Sequence, residues 1–199
     1  MNFINLLRAG GWMMLPILIA SLVAVALIIE HAWTLSRGKK HLNFLWQYPE
    51  KRDTLLLKKP SDVIVQFLTE SEEERLVTLD EKRHLAGQLF LTQERRISWL
   101  GTIAAIAPLL GLLGTVSGMI NIFFRIASAP PQNPLADLSH GISEALVATA
   151  GGLVVAIVAA IGQHFLMNGN DDMAMDMEAW LKESENAAAG GKPLAHQAK

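Results

Sequence analysis

Glu144 is the residue of this sequence whose chemistry most needs an explanation. Between Leu138 and Asn170 it is the only residue that carries a formal charge at neutral pH. An ionised carboxylate at bilayer depth costs about 2.5–3.5 kcal/mol on insertion scales, so such a group usually faces a protein interior or a water-filled path. There it can exchange protons or hold a hydrogen-bond network, and the sequence leaves both roles open. The competing interpretation is that Glu144 lies near a helix end and reaches headgroup water.

Several other kinds of chemistry have no sequence signal. The chain contains no cysteine, which removes disulfides, thiolate catalysis and cysteine metal sites. Its six histidines show no metal-ligand spacing, and we find no glycine-rich phosphate loop, nucleophile elbow or pair of catalytic carboxylates. The formal net charge of -2 comes without a basic stripe. We therefore expect a protein that is not an enzyme, holds no cofactor or metal and binds no nucleic acid.

The composition is that of a membrane protein. Of the 199 residues, 51% are hydrophobic and only 18% are charged, which is too apolar for an ordinary soluble domain. Uncharged runs cover residues 9–29, 97–124 and 145–170. Each exceeds the ~20 residues that a helix needs to cross ~30 Å of hydrocarbon. The sequence therefore predicts an all-α membrane protein with three transmembrane helices and long helical cytoplasmic extensions.

The distribution of basic residues predicts the topology. Twelve Lys and Arg residues lie between Glu30 and Arg96, whereas only Arg125 separates the second and third uncharged runs. The positive-inside rule then places the middle segment in the cytoplasm, the N-terminus in the periplasm and the C-terminus in the cytoplasm. The predicted order is a first transmembrane helix (1–30), a cytoplasmic helical region (31–96), a second transmembrane helix (97–125), a short periplasmic link (126–136), a third transmembrane helix (137–167) and a partly disordered cytoplasmic tail (168–199).

Local signals predict where the helices outside the spans begin and end. Asp62 offers a helix start, and a further helix is expected to run from the acidic cluster 72–74 into the second span, with the carboxylates near its N-terminal dipole. Asn133 and Pro134 are typical of the start of the third span. After the Asn-Gly-Asn run at 168–170 we expect a separate short amphipathic helix, and from 187 a disordered tail.

Small residues form two series that predict close helix packing. The second span has Gly111, Gly114 and Gly118, and the third has small residues at every fourth position, namely Ala148, Gly152, Ala156 and Ala160. Such spacing lets two helix backbones approach each other closely. The hydroxyls of Thr115 and Ser117 lie among these residues, and the simplest prediction for them is a hydrogen bond within their own helix.

The two series lie in segments 100–119 and 141–157, and these segments resemble the ExbB/TolQ/MotA family of proton-channel stator subunits. The three-span layout is similar to the ExbB and TolQ branch, since the MotA branch has four spans. The family often has proline directly after the Ala-Ile pair that matches Ala156 and Ile157, whereas this chain has Val158. The acidic C-terminal tail matches nothing in the family pattern.

The resemblance implies a homo-oligomeric ring in the bacterial inner membrane. In this family five identical subunits enclose the transmembrane helices of an ExbD- or TolR-like partner that carries a protonatable Asp, and the complex drives a TonB- or TolA-like protein. The positions matching Thr115, Glu144 and Thr149 are polar positions of the family's proton path. Glu144 and Thr149 lie about 140° apart around a helix, so they should not share one face. The alternative is a non-conducting membrane scaffold that only assembles such a partner.

Overall fold

The structure is a computed structural model that describes residues 11–48, 53–56, 62–76, 78–128 and 134–188. All regular secondary structure in these ranges is helical, in the order α1 (Met14–Gln47), α2 (Asp53–Leu56), α3 (Val63–Glu73), α4 (Leu79–Ser128) and α5 (Pro134–Ala188). Three of these helices, α1, α4 and α5, are long and apolar enough to cross a membrane. The predicted all-α membrane fold with three candidate spans is therefore confirmed.

The chain divides into two compact units. The first, called here the membrane unit, comprises Met1–Ile28 and Trp99–Gln163, and the second, called the charged unit, comprises Ile29–Ser98 and His164–Lys199. The membrane unit contains only four residues with a formal charge, Arg8, Arg125, Asp137 and Glu144. Nearly all other Lys, Arg, Asp and Glu residues of the sequence therefore belong to the charged unit.

The charged unit has a core of large apolar side chains. Parts of α1, α3, α4 and α5 contribute to it, including Leu42, Leu45, Ile64, Phe67, Leu68, Leu85, Phe90, Met173, Met177 and Leu181. Gly38 of α1 lets the side chain of Met173 pack against the helix backbone. A Cβ at position 38 would lie only 2.8 Å from Sδ of Met173, which is too close unless Met173 moves. Removing this much apolar surface from water is the main force that holds such a core together.

Helix α3 has well-defined ends. The carboxylate of Asp62 accepts hydrogen bonds from the backbone N–H groups of Ile64 and Val65, both at 3.2 Å, so the predicted start at Asp62 is confirmed. At the other end Arg75 adopts a left-handed φ of 51°, and the N–H of Leu76 donates to the carbonyl of Ser71 at 3.1 Å. This is a Schellman motif in which arginine takes the place usually held by glycine.

The prediction for the acidic cluster is wrong in its placement. Glu72 and Glu73 end α3 and Glu74 caps it, so the three exposed carboxylates lie at a helix C-terminus, where the dipole does not favour them. Helix α4 starts further along the chain at a reciprocal cap: Thr78 Oγ1 accepts from the N–H of Glu81, and the Glu81 carboxylate accepts from the N–H of Thr78. This Thr-x-x-Glu signal was available in the sequence.

The predicted break at 168–170 is also wrong, because α5 continues as one helix from Pro134 to Ala188. Two asparagines and a glycine cost helix stability, roughly 1 kcal/mol for the glycine relative to alanine. Tertiary contacts offset that cost, because Met173 and Met177 are buried in the core of the charged unit, and because Leu35 of α1 packs closely on Gly169, where a Cβ would lie 2.5 Å from its Cδ2. The predicted start at Pro134 is confirmed, whereas Asn133 lies outside the described residues. Of the tail predicted to be disordered from 187, residues 187 and 188 are helical, which corrects its start, and the remainder lies outside the described residues.

Candidate functional site

Within the membrane unit, α4 and α5 approach each other through the glycines of α4. A Cβ at Gly111 would lie 3.0 Å from Cα of Thr149 and 3.1 Å from the carbonyl oxygen of Ala148. A Cβ at Gly114 would lie 2.7 Å from Cβ of Ala148. These distances are shorter than ordinary carbon contacts, so neither position accepts a side chain without moving α5.

The contact continues in both directions along the two helices. A Cβ at Gly152 would lie 2.5 Å from the carbonyl oxygen of Ala107, and one at Gly118 would lie 3.3 Å from Cβ of Ala145. The half-buried Ala156 follows Gly152 by one further repeat. The structure therefore brings the two predicted series of small residues together as a single α4–α5 interface, with backbone contacts of the small-xxx-small kind.

One hydroxyl crosses this interface and two do not. Thr149 Oγ1 donates to the carbonyl oxygen of Gly111 at 3.0 Å, which joins α5 to α4. Thr115 Oγ1 donates within α4 to the carbonyl of Leu112 at 2.7 Å, and Ser117 Oγ donates to that of Gly114 at 3.1 Å. The intrahelical bonds expected for Thr115 and Ser117 are therefore present, although the oxygen of each can still accept a hydrogen bond.

Glu144 lines a cavity between α4 and α5. The cavity has a volume of about 220 Å³, and its walls come from Gly118, Asn121, Ile122 and Arg125 of α4 and from His140, Gly141 and Glu144 of α5. Glu144 itself is half-buried. A cavity of this size with polar walls accommodates several water molecules. The carboxylate is therefore placed beside a space that water can fill, inside a segment that has no other formal charge.

A glycine of the N-terminal segment lies against the same carboxylate. Gly11 has a φ of +66°, and a Cβ at this position would overlap the carboxylate of Glu144. The carbonyl of Gly11 accepts from the N–H of Met14 at 3.1 Å, so the glycine also forms the turn that leads into α1. A left-handed φ and a close approach both favour glycine. The sequence analysis did not single out Gly11, although the Gly-Gly pair at 10–11 is a recognisable turn signal.

The sequence analysis also missed the polar residues that share the cavity with Glu144. Asn121 and Arg125 are four residues apart on α4, and His140 and Glu144 are four residues apart on α5, so each pair occupies one helix face. Arg125 entered the sequence analysis only as a topology signal, and His140 only in the search for metal spacing. Among the residues that the structure describes, no three His, Asp or Glu side chains converge as a metal site.

Sequence comparisons agree with this fold. A model of the MotA/TolQ/ExbB proton channel family matches residues 66–179, more than half of the chain. This chain therefore belongs to the MotA/TolQ/ExbB proton channel family. The matched segment includes the glycine series of α4, the small-residue series of α5 and Glu144.

Individual relatives place the chain in the ExbB/TolQ branch. It is 30% identical over 181 residues to the putative biopolymer transport protein ExbB-like 1 of Synechocystis sp., covering 76% of this chain and 65% of the relative. The biopolymer transport protein ExbB of Neisseria gonorrhoeae is 36% identical over 97 residues, with coverages of 49% and 44%. The Tol-Pal system protein TolQ of Haemophilus influenzae is 41% identical over 73 residues, with coverages of 37% and 32%. The chain thus spans less than two thirds of each of these relatives.

Proposed function

We propose that this chain is the ring subunit of a proton-motive-force transducer in a bacterial inner membrane. Together with an ExbD/TolR-like single-span partner, it couples inward proton flow to mechanical work on a TonB- or TolA-like protein, for energised outer-membrane transport or envelope maintenance. Its role is that of a channel component rather than of an enzyme. The family membership supports this class of function. The observation that carries the proposal is Glu144, half-buried beside a cavity in an otherwise uncharged helix segment.

Glu144 has the properties that a proton-exchanging carboxyl needs. It lies inside a candidate span, so its protonation state changes the charge within the bilayer region. The adjoining cavity gives it room for water, through which a proton can arrive and leave. Each elementary charge that crosses the membrane releases about 2.3 kcal/mol per 100 mV, which is the free energy that the complex would convert into movement.

The proposed ring is supported by the apolar surface of the membrane unit. Large side chains on α4 and α5 are more than half exposed in the single chain, among them Leu109, Leu112, Ile120, Leu146, Val154 and Ile157. Lipid, further copies of the chain or the helices of a partner would cover such a surface. A homo-oligomer of about five subunits that encloses a partner helix would cover these apolar side chains with neighbouring subunits and with the partner.

The proposed orientation has the N-terminus in the periplasm and the C-terminus in the cytoplasm. Its support is the concentration of twelve Lys and Arg residues between Glu30 and Arg96. In this orientation α5 begins on the periplasmic side, so Glu144, ten residues after Pro134, lies about 15 Å along the helix from that end.

A non-conducting scaffold is the second candidate function. One observation at the α4–α5 interface favours a scaffold. The Thr149 hydroxyl donates a hydrogen bond across that interface, so it can stabilise helix packing without transferring a proton. In this case Glu144 would only hold a hydrogen-bond network, and the partner alone would carry protons. The two functions differ in what Glu144 must do chemically.

Two substitutions at Glu144 test the proposal. Glu144→Gln keeps the shape and hydrogen bonding of the side chain but cannot exchange a proton, whereas Glu144→Ala removes both properties. We expect both variants to assemble with the partner and both to lose proton flux in liposomes that contain the complex purified from its native membrane. Glu178→Gln, an exposed position further along α5, serves as the control and should keep wild-type flux.

The proton flux of the two variants distinguishes the possible roles of Glu144. If Glu144→Gln retains much of the flux that Glu144→Ala loses, Glu144 organises a network and does not carry protons. Full flux in both variants at normal abundance would contradict the proposed role of Glu144 and support the interpretation that it reaches headgroup water.

A further inference from the structure

His140 shares the cavity with Glu144 and has no role in the function described so far. The two residues are separated by one turn of α5, and both line the cavity of about 220 Å³. Residues four apart on a helix are neighbours on its surface, with Cβ atoms about 5–6 Å apart. His140 is exposed and lies closer to the start of α5 than the half-buried Glu144. A proton that arrives from that end of the helix meets His140 first.

The other walls of the cavity favour a hydrated path between the two groups. Asn121 of α4 supplies an amide that can both donate and accept hydrogen bonds. Arg125 of α4 supplies a fixed positive charge to the same walls. The part of α1 that belongs to the membrane unit adds no titratable side chain, because residues 11–28 contain none. Among the described walls of the cavity, the side chains that can gain and lose a proton are therefore His140 and Glu144, and Arg125 is the only permanent charge.

We propose that His140 is a proton-relay residue that collects protons from the aqueous side and delivers them to Glu144. This inference rests on the proposed function, since it needs a proton flux through Glu144. A hydronium ion protonates the unprotonated ring nitrogen of His140. The imidazolium then releases a proton through cavity water to the Glu144 carboxylate. The step leaves a neutral imidazole and a neutral carboxyl group, and it consumes one proton from the aqueous side.

Histidine is suited to this task because an imidazole can both take up and release a proton near neutral pH, where free hydronium is scarce. A relay of this kind matters little in acid, where hydronium can reach Glu144 directly. It matters most above neutral pH. The dependence of flux on outside pH is therefore the property that separates a relay from a structural histidine.

The test compares His140→Gln with wild type in liposomes that contain the complex purified from its native membrane. Proton flux is measured with an internal pH-sensitive dye while the outside pH is varied from 5.5 to 8. We expect His140→Gln to match wild type within about twofold at pH 5.5 and to fall about tenfold below it at pH 7.5. His164→Gln is the matched control, since His164 is an exposed histidine of α5 that does not line this cavity, and its flux should follow wild type at every pH.

Chemical rescue provides a readout that a structural role would not move. His140→Ala enlarges the cavity by an imidazole, and adding imidazole outside the liposomes should restore most of its flux at pH 7.5 and change wild-type flux little. A flux for His140→Gln equal to wild type at all pH values overturns the relay, as does an equal loss at every pH that imidazole does not restore.

Glu144→Gln in the same assay separates the two proposals. If it abolishes flux while His140→Gln conducts as wild type at every pH, only the relay fails. If Glu144→Gln also conducts as wild type, the proposed role of Glu144 fails with it.

Discussion

The membrane unit and the charged unit are packed by different kinds of residue. In the membrane unit the α4–α5 contact uses glycine and alanine, and the approaches at Gly111 and Gly152 involve backbone atoms of the facing helix. In the charged unit the core consists of leucine, isoleucine, phenylalanine and methionine side chains. The difference follows from the solvent. Lipid is as apolar as leucine, so burying leucine inside a membrane gains little and helices associate through close van der Waals contact. In water the burial of large apolar side chains is itself stabilising.

The comparison also explains where the polar groups lie. In the charged unit the carboxylate of Asp62 is fully buried, and its partners are two backbone N–H groups and Nδ1 of His41 at 2.8 Å. In the membrane unit Glu144 is only half-buried and adjoins a cavity. Asp62 also lines a cavity, of about 170 Å³, so the two carboxylates differ in exposure and in their donors. A fully buried carboxylate held by several donors is typical of a structural cap, whereas a half-exposed one can exchange protons.

The largest effect on stability is expected from a core substitution in the charged unit. Phe67 is 2% exposed, and Phe67→Ala should lower the free energy of unfolding by about 3–5 kcal/mol, because it removes apolar contacts and leaves a cavity. Thermal unfolding followed by circular dichroism measures the change. Phe165→Ala is the control, since Phe165 is 71% exposed and belongs to the same unit. Equal losses from the two substitutions would show that side-chain burial does not hold this unit together.

An intermediate effect is expected from adding a single methyl group in the membrane unit. Gly152→Ala would bring a Cβ within 2.5 Å of the carbonyl oxygen of Ala107, and a backbone atom cannot move aside cheaply. We expect the free energy of unfolding to fall by about 1–3 kcal/mol, measured as a lower melting temperature in detergent. The neighbouring Gly151→Ala is the matched control, because its Cβ would meet the side chains of Met14 and Ile17 at ordinary distances of 3.6 and 3.9 Å. Similar behaviour of the two variants would contradict the α4–α5 interface.

The smallest effect is expected from the same type of substitution at an exposed site. A Cβ at Gly87 of α4 would meet nothing within 4 Å. Gly87→Ala should therefore stabilise the protein by about 0.4–1 kcal/mol, because alanine loses less conformational entropy in a helix. The melting temperature should rise slightly, in contrast to the fall expected for Gly152→Ala. A fall for both would mean that the helix around Gly87 also packs closely.

Sequence patterns alone determined the features that depend on neighbours along the chain. The uncharged runs gave three spans because each exceeds the bilayer thickness, and Asp62 and Pro134 marked helix starts because capping and proline geometry are local. The two series of small residues were visible for the same reason, since their four-residue spacing is a property of a single helix. Glu144 stood out because it is the one formal charge between Leu138 and Asn170.

Only the tertiary structure decided what depends on residues far apart in the chain. It joined the two small-residue series into one interface, gave Thr149 a carbonyl of α4 as its acceptor, and set Gly11 against Glu144. It also kept α5 helical through residues 168–170, because the close contact of Gly169 with Leu35 and the burial of Met173 and Met177 outweigh the weak helix propensity there. Local patterns specify what a helix presents on each face. Which face meets which neighbour is fixed by contacts between segments, and no single-helix pattern contains that information.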